Sequence, residues 1–503
     1  MILLMMGLTL TAEASDPWTD ASHQDLMGFV RAASLDIRGH VPSLEELHSI
    51  EDAGELPEGM LDEWLNSSAF ETQVIERHRE LMWNSLEVTL LQRRRLGRRN
   101  GIYFNNNRAT HTRGLAQTHC GTEPANVDEF NRPLTWTIND DGGIEEGYVW
   151  VEPYWNPGTQ IQVCAFDAQT VPVSANGVDC STEDAHQEAD CGCGPNLQWC
   201  FDNTTEAVIE DALSYDLNER VRAMLQSDSG YEYLLNGQEI FLNGASTHFF
   251  RHLVPFDVDT YQRPVPTADL PEIDFADEAW YAVALDDHHD GILTSPGWLL
   301  RHQTNRGRAN RFYGGFLCQE FLPTNNEITT EASLVAPSPN LILREGCQDC
   351  HARLEPWGAY WGRWAEASMV FYSPLDFPAY SEECAQCALT TGVCSDVCED
   401  FYLVEPNHSD ELPYVGWLNT YAFLVDNKQE HPDLGPLGWV NHALENGDLS
   451  ECAVQRAGQW LLNWSENDSV AEADWSAQFS TSMSYRRLVK DIVTSPQYWK
   501  GEE

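Results

Sequence analysis

A mainly α-helical, multi-domain protein interrupted by a small disulfide-rich β insert is the fold the sequence predicts, and three observations predict it. The chain has 503 residues, enough for roughly three domains of about 150 residues and a sizeable apolar core. Apolar residues recur at three- and four-residue spacing over most of its length, the period of a helix with one buried face. Between 119 and 203 that period gives way to alternation, turn residues and six of the fourteen cysteines, which is strand and hairpin grammar.

In chain order, MILLMMGLTLTAEASDPW opens with an apolar run followed by Ala12-Glu13-Ala14, the small-residue pattern that precedes a signal cut. Residues 1–14 are therefore expected to be a signal peptide, although the basic residues that usually open one are missing. Residues 15–118 are expected to form a helical domain. Leu26, Phe29, Val30 and Ala33 line one face, and Ser43 with Glu46 reads as a capping box opening a helix through Leu44, Leu47 and Ile50. Residues 119–203 form the insert: Leu134, Trp136 and Ile138 alternate, Asp140 to Gly143 supplies a turn, and GYVWVEPYW and TQIQVCAF flank Asn156-Pro157-Gly158. Residues 204–330 continue the first helical domain. Residues 331–400 carry the densest motif and a second cysteine cluster. Residues 401–503 form a C-terminal helical domain, whose helix Tyr485, Leu488, Val489, Ile492, Val493 is closed by Pro496.

Charge excludes whole classes of partner. Acidic residues number 79 against 29 basic ones, a formal net charge of −50, a field that repels nucleic acid and anionic lipid headgroups. Arg-rich QRRRLGRRN at 92–100, extended by Arg108 and Arg113, is too isolated for a nucleic-acid footprint; a solvated face or a docking spot for an acidic partner is expected there. Beyond the leader no stretch is long and apolar enough to span a bilayer. With cysteine usage, this predicts export to a bacterial periplasm, cell surface or medium, with disulfides as the default state of the cysteines.

The densest motif is GCQDCHARLEPWG at 346–358. Cys347 and Cys350 stand three apart with His351 directly after, the spacing that lets two thiols reach the two vinyl groups of one porphyrin edge while an imidazole rises beneath the iron. The competing reading is a disulfide pair beside a histidine. The haem reading makes 331–400 a helical, cytochrome c-like segment with one covalent haem c, His351 as proximal ligand and Met369 as distal candidate, with His288, His289 and His302 as competitors. Trp357, Tyr360, Trp361 and Trp364 share one helical face, as haem walls or as plain core. Arg306, Arg308 and Arg311, just after Arg301, suit haem propionates or the protein's own acids. Cys384, Cys387, Cys394 and Cys398 fit four zinc thiolates or two disulfides. No G-x-S-x-G, phosphate loop, dinucleotide fingerprint or H-E-x-x-H motif occurs in a supporting context, so no catalytic residue is nominated.

RAASLDIRGHVPSLEEL at 31–47, GILTSPGWLLRHQTNRGRANRFYGGFLC at 291–318, CQDCHARLEPWGAYWGRW at 347–364, and the closing ECAVQRAGQWLLNW and YRRLVKDIVTSPQYW resemble the secreted cytochrome-like multi-domain proteins of planctomycetes and myxobacteria, which end in a small helical domain. The resemblance covers about two thirds of the chain; the cysteine-rich insert departs from the planctomycete pattern and is nearer to myxobacterial versions. It implies export and haem c at Cys347, Cys350 and His351, and implies neither substrate nor sixth ligand. The expected function is electron transfer to or from an oxidoreductase with a basic docking face, steered by the acidic surface. The alternatives are a non-redox secreted surface or binding protein with every cysteine in a disulfide, and a haem enzyme with an open sixth position.

Overall fold

Helices form wherever the three-four spacing supplies an apolar face, and most of those faces meet in one large core. The computed structural model describes residues 23–83, 85–86, 94–105, 119–182, 184–226, 230–253, 265–285, 288–319, 338–344, 346–423, 435–465 and 472–500. The expected leader at 1–14 and the basic residues Arg108 and Arg113 lie outside the described residues.

The first helices follow their local signals. His23–Arg38 buries Val30, Ala33 and Ile37, and Leu44–Ala53 opens on the expected capping box, with Ser43 N–H donating to Glu46 Oε2 at 2.7 Å and Glu46 N–H to Ser43 Oγ at 3.2 Å. The same Glu46 carboxylate accepts from Arg38 at 2.8 Å and from Trp64 Nε1 at 2.8 Å. Partial burial opposes its ionisation, but the hydrogen bonds from Arg38, Ser43 and Trp64 prevail and hold its carboxyl down at about 2. Arg38 and Glu46 of the quoted 31–47 stretch, with Trp64, thus join three helices.

The four helical segments share one contiguous core. Val30 and Phe70, Leu213 and Trp298, Trp361 and Met369, and Trp439, Val454 and Ile492 all belong to it. The segments expected on either side of 330 and of 400 therefore share that core, with a smaller cluster around Phe377, Cys398 and Tyr402 beside it. The first and last described helices meet as well: Tyr498 Oη donates to Asp36 at 2.6 Å, and Trp499 packs on Phe29 with ring centroids 4.4 Å apart. Asn203–Gln226 runs through the middle, with Asp216 and Arg220 paired at 2.9 Å, both buried.

The insert departs from the expected boundary. Leu96–Arg99 and Ile102–Asn105 form an antiparallel hairpin, whose turn holds Asn100 and Gly101 at φ of 51° and 89°. An Asn-Gly pair with both φ positive is the two-residue turn whose twist matches a hairpin, so the insert's sheet starts in the basic run. Strand order is Leu96–Arg99, Ile102–Asn105, Ile161–Cys164, Tyr148–Val151, with the expected Tyr148–Val151 and Ile161–Cys164 hairpin on one edge. Two arginines of the run have partners elsewhere in the chain: Arg94 donates to the carbonyls of Ser181 and Thr182, and Arg95 to Asn203 at 2.7 Å and Glu206 at 3.2 Å. Arg95, Arg98 and Arg99 nonetheless stay exposed, as a solvated basic face requires, while Arg94 is turned inward.

Three small apolar clusters replace a core in the insert, and disulfides Cys120–Cys164, Cys180–Cys191 and Cys193–Cys200 staple them. Few buried residues per cluster leave little hydrophobic stabilisation, the condition in which bridges matter most. The intervening Gly192 is required sterically, since a Cβ there would lie 2.3 Å from the Gln169 carbonyl oxygen. Cys318–Cys452 ties the middle helical segment to helix Asp448–Leu461. Cys384–Cys398 and Cys387–Cys394 nest around two short helices, which resolves the second cluster as two bridges. Among the described residues no helix is long and apolar enough to cross a membrane.

Asp290 puts a titratable group in the core. It is buried, its Oδ2 accepts from Leu437 N–H at 2.9 Å, and burial, only partly offset by that bond, pushes its carboxyl up to about 7. The folded protein thus keeps a proton that the unfolded chain releases above pH 3.8, so stability falls as pH rises from about 4 to about 7 and is level beyond. Burial holds His78 and His302 near 4, and these act in the opposite sense, losing stability as pH falls below about 6.5. The difference between wild type and Asp290→Asn isolates the carboxyl. The melting temperature of Asp290→Asn is expected to exceed that of wild type by an amount that grows from near zero at pH 4 to the equivalent of about 4 kcal/mol at pH 8; a constant difference across that range contradicts the assignment.

Candidate functional site

The cysteine-histidine motif lies at the start of helix Gln348–Gly358, with Cys347 at its N-cap. The helix begins because Arg344 and Cys347 offer carbonyls to Gln348 N–H and His351 N–H, at 3.1 and 3.0 Å. It packs against helix Asn305–Phe316. Residues three and four apart share a helical face; Cys347, Cys350 and His351 are therefore presented together within one turn. Both thiols are free and half-buried, whereas the other twelve cysteines form six bridges.

His351 is held from below. Its Nδ1–H donates to Glu355 Oε1 at 2.6 Å, and Arg306 Nε donates to the same oxygen at 2.6 Å. The Glu355 side chain is 1% exposed and that of His351 20%. Glu355 Oε2 is buried with no hydrogen-bond partner among the described residues. A carboxylate engaging Nδ1 fixes the ring and its tautomer, leaving Nε2 as the lone-pair nitrogen. Glu355 was legible as the residue four after His351 on a helix, but its burial was not.

The remaining nominated residues take separate places. Arg306 completes the His351–Glu355 chain. Arg308 is fully buried, its guanidinium donating to the carbonyls of Leu299, His302, Trp364, Ala365 and Ser368 and to Asn305 Oδ1 at 2.8–3.3 Å; its donors are taken up inside the protein. Arg311 donates to the Glu80 carbonyl at 2.7 Å and lies 4.1 Å above the Trp83 ring. Trp357 stacks on Trp439 at 4.4 Å, while Trp361 is wholly buried and donates to the Leu293 carbonyl at 2.9 Å. Met369 is 1% exposed within the main core. His288 stacks on Phe371 at 4.4 Å, His289 meets the Trp364 ring edge-on at 5.1 Å, and His302 Nε2–H donates to the Met82 carbonyl at 3.1 Å. The structure thus gathers His351 and Arg306 around Glu355, keeps Cys347 and Cys350 in the helical turn that leads into His351, and sets the aromatic residues into the protein's own packing.

Among the described residues no three His, Cys, Asp or Glu side chains converge as a metal site. The chemistry the motif offers is that of two thiols able to form thioethers or a disulfide, beside an imidazole whose Nε2 can ligate. Comparison with family models, curated proteins and solved structures returns no match.

Proposed function

We propose that the chain is an exported, monohaem c-type cytochrome-like protein that transfers electrons to or from a partner oxidoreductase. One observation carries the reading: of fourteen cysteines in a disulfide-rich protein, the two left free are those of the Cys-x-x-Cys-His motif. Twelve bridged cysteines fit an oxidising compartment, where a neighbouring dithiol otherwise closes on itself; thioether formation would occupy both sulfurs instead. The donor set fits the group, because the buried Glu355 takes Nδ1 and leaves Nε2 of His351 for iron.

Haem attached here would supply a reversible one-electron couple. The protein's own part is positional. Cys347 and Cys350 would fix one porphyrin edge, His351 would rise beneath the metal, and Glu355 with Arg306 would hold the imidazole. Met369 remains the proposed distal ligand on chain proximity alone. The net charge of −50 would steer a basic partner by long-range attraction.

Expression in a periplasm with haem-maturation machinery, followed by a denaturing gel stained for haem, tests this. Wild type is expected to stain and Cys350→Ala to lose the stable stain. Colourless wild-type protein, or sulfur atoms of 347 and 350 bonded to each other by mass spectrometry, overturns the proposal in favour of the non-redox reading.

A further inference from the structure

A second site lies away from the cysteine-histidine helix and is independent of the haem reading. Helices Ser68–Met82, Asn305–Phe316 and Asp448–Leu461, with Trp83, Tyr231 and Tyr485, line a half-open cavity of about 370 Å³, within the range that accommodates small ligands. Its lining includes Arg77, Arg311 and Arg456. In a chain with 79 acidic against 29 basic residues, three guanidinium groups meet there with one lining acid, Glu80.

That acid does not neutralise the cluster. Among the described residues Glu80, largely exposed, pairs with Arg77 at 3.4 Å, and Arg77 also interacts with the charge of Asp36, which leaves Arg311 and Arg456 as the unbalanced pair. Arg311 spends one nitrogen on the Glu80 carbonyl, and Arg456 donates to Gly314 O at 2.6 Å and Gln459 Oε1 at 3.0 Å. Arg311 Nε and Arg456 Nε are buried and have no hydrogen-bond partner among the described residues. Burial, then the nearness of Arg456 and Arg301, pulls the Arg311 guanidinium down to about 10. Buried donors without acceptors and like charges side by side both cost stability, and an oxyanion in the cavity relieves both.

The walls indicate what else the ligand carries. Trp83 lies under Arg311 and Trp460 under Arg77, flat apolar surfaces suited to an unsaturated body. His78, 1% exposed, also lines the cavity. Its Nδ1–H donates to the Val74 carbonyl at 2.8 Å, and its Nε2 is buried with no partner among the described residues. Burial keeps this ring neutral, so Nε2 is an acceptor in need of a hydroxyl or amide donor.

We infer that this cavity binds a small hydroxylated organic acid, its carboxylate held by Arg311 and Arg456 and its hydroxyl donated to His78. The probe is 4-hydroxybenzoate, titrated calorimetrically into the full chain at constant ionic strength, with 4-hydroxybenzamide and inorganic phosphate as controls. The acid is expected to bind with Kd below about 1 mM and at least about tenfold more tightly than either control. Arg456→Gln is expected to weaken it about tenfold or more, and Arg77→Gln, on a partly exposed side chain, severalfold; the second variant keeps the test open should the first fail to fold. Equal binding of acid and amide, equal or tighter binding of phosphate, no binding of the acid below about 1 mM, or unchanged affinity in folded variants overturns the inference.

Discussion

Replacing Cys318 and Cys452 together by serine is expected to destabilise the protein by about 4–5 kcal/mol, more than loss of any other single bridge. The bridge closes a loop of 134 residues, and the entropy withheld from the unfolded chain grows with the logarithm of loop length. Cys387–Cys394 spans 7, for which the same relation gives about 2 kcal/mol. The long bridge also joins the segment just after helix Asn305–Phe316 to helix Asp448–Leu461, both in the main core, so its loss is expected to lower the midpoint of the principal transition in guanidinium rather than loosen one loop. Measured denaturation of the two double-serine variants side by side decides the matter. An equal cost would show that native contacts, not loop closure, set the value.

Arg308→Met is expected to cost on the order of 5 kcal/mol, because it strips one buried cation from five main-chain carbonyls and leaves those oxygens without donors. Burial pulls the guanidinium down to about 9, still above neutral pH, so the group is charged and its hydrogen bonds are of the stronger kind. Arg308→Lys is expected to recover only a minor part, since an ammonium cannot reproduce the planar fork that reaches carbonyls on both sides. The carbonyls belong to Leu299 and His302 on one side and to Trp364, Ala365 and Ser368 on the other. The segment following the cysteine-histidine helix should therefore lose amide protection first. Hydrogen exchange that rises uniformly across the chain, or a methionine variant within about 1 kcal/mol of wild type, contradicts this role.

Some of this architecture was written in short stretches of chain. Ser43 and Glu46 three apart announced a helix start, the alternation of GYVWV and TQIQV announced a hairpin, and Tyr485 through Val493 announced a one-faced helix; all three stand in the structure. Asn100-Gly101 was equally legible as a hairpin turn and was obscured by the density of arginines around it. Glu355 is a different case. Its distance of four residues from His351 was visible, but whether that carboxylate is buried beneath the ring depends on helix Asn305–Phe316 and on Arg306, 49 residues earlier.

The amino-acid sequence by itself determined the helical character, the β insert, the acidic surface and the placing of two cysteines and a histidine on one turn, because periodicity, caps and turns are set by residues a few positions apart. Tertiary structure alone decided which cysteines pair, that four helical segments share one core, that Arg308 faces carbonyls and that Arg77, Arg311 and Arg456 meet around one cavity. Those outcomes join residues tens to hundreds of positions apart, and what brings them together is the burial of apolar faces, which no local pattern encodes.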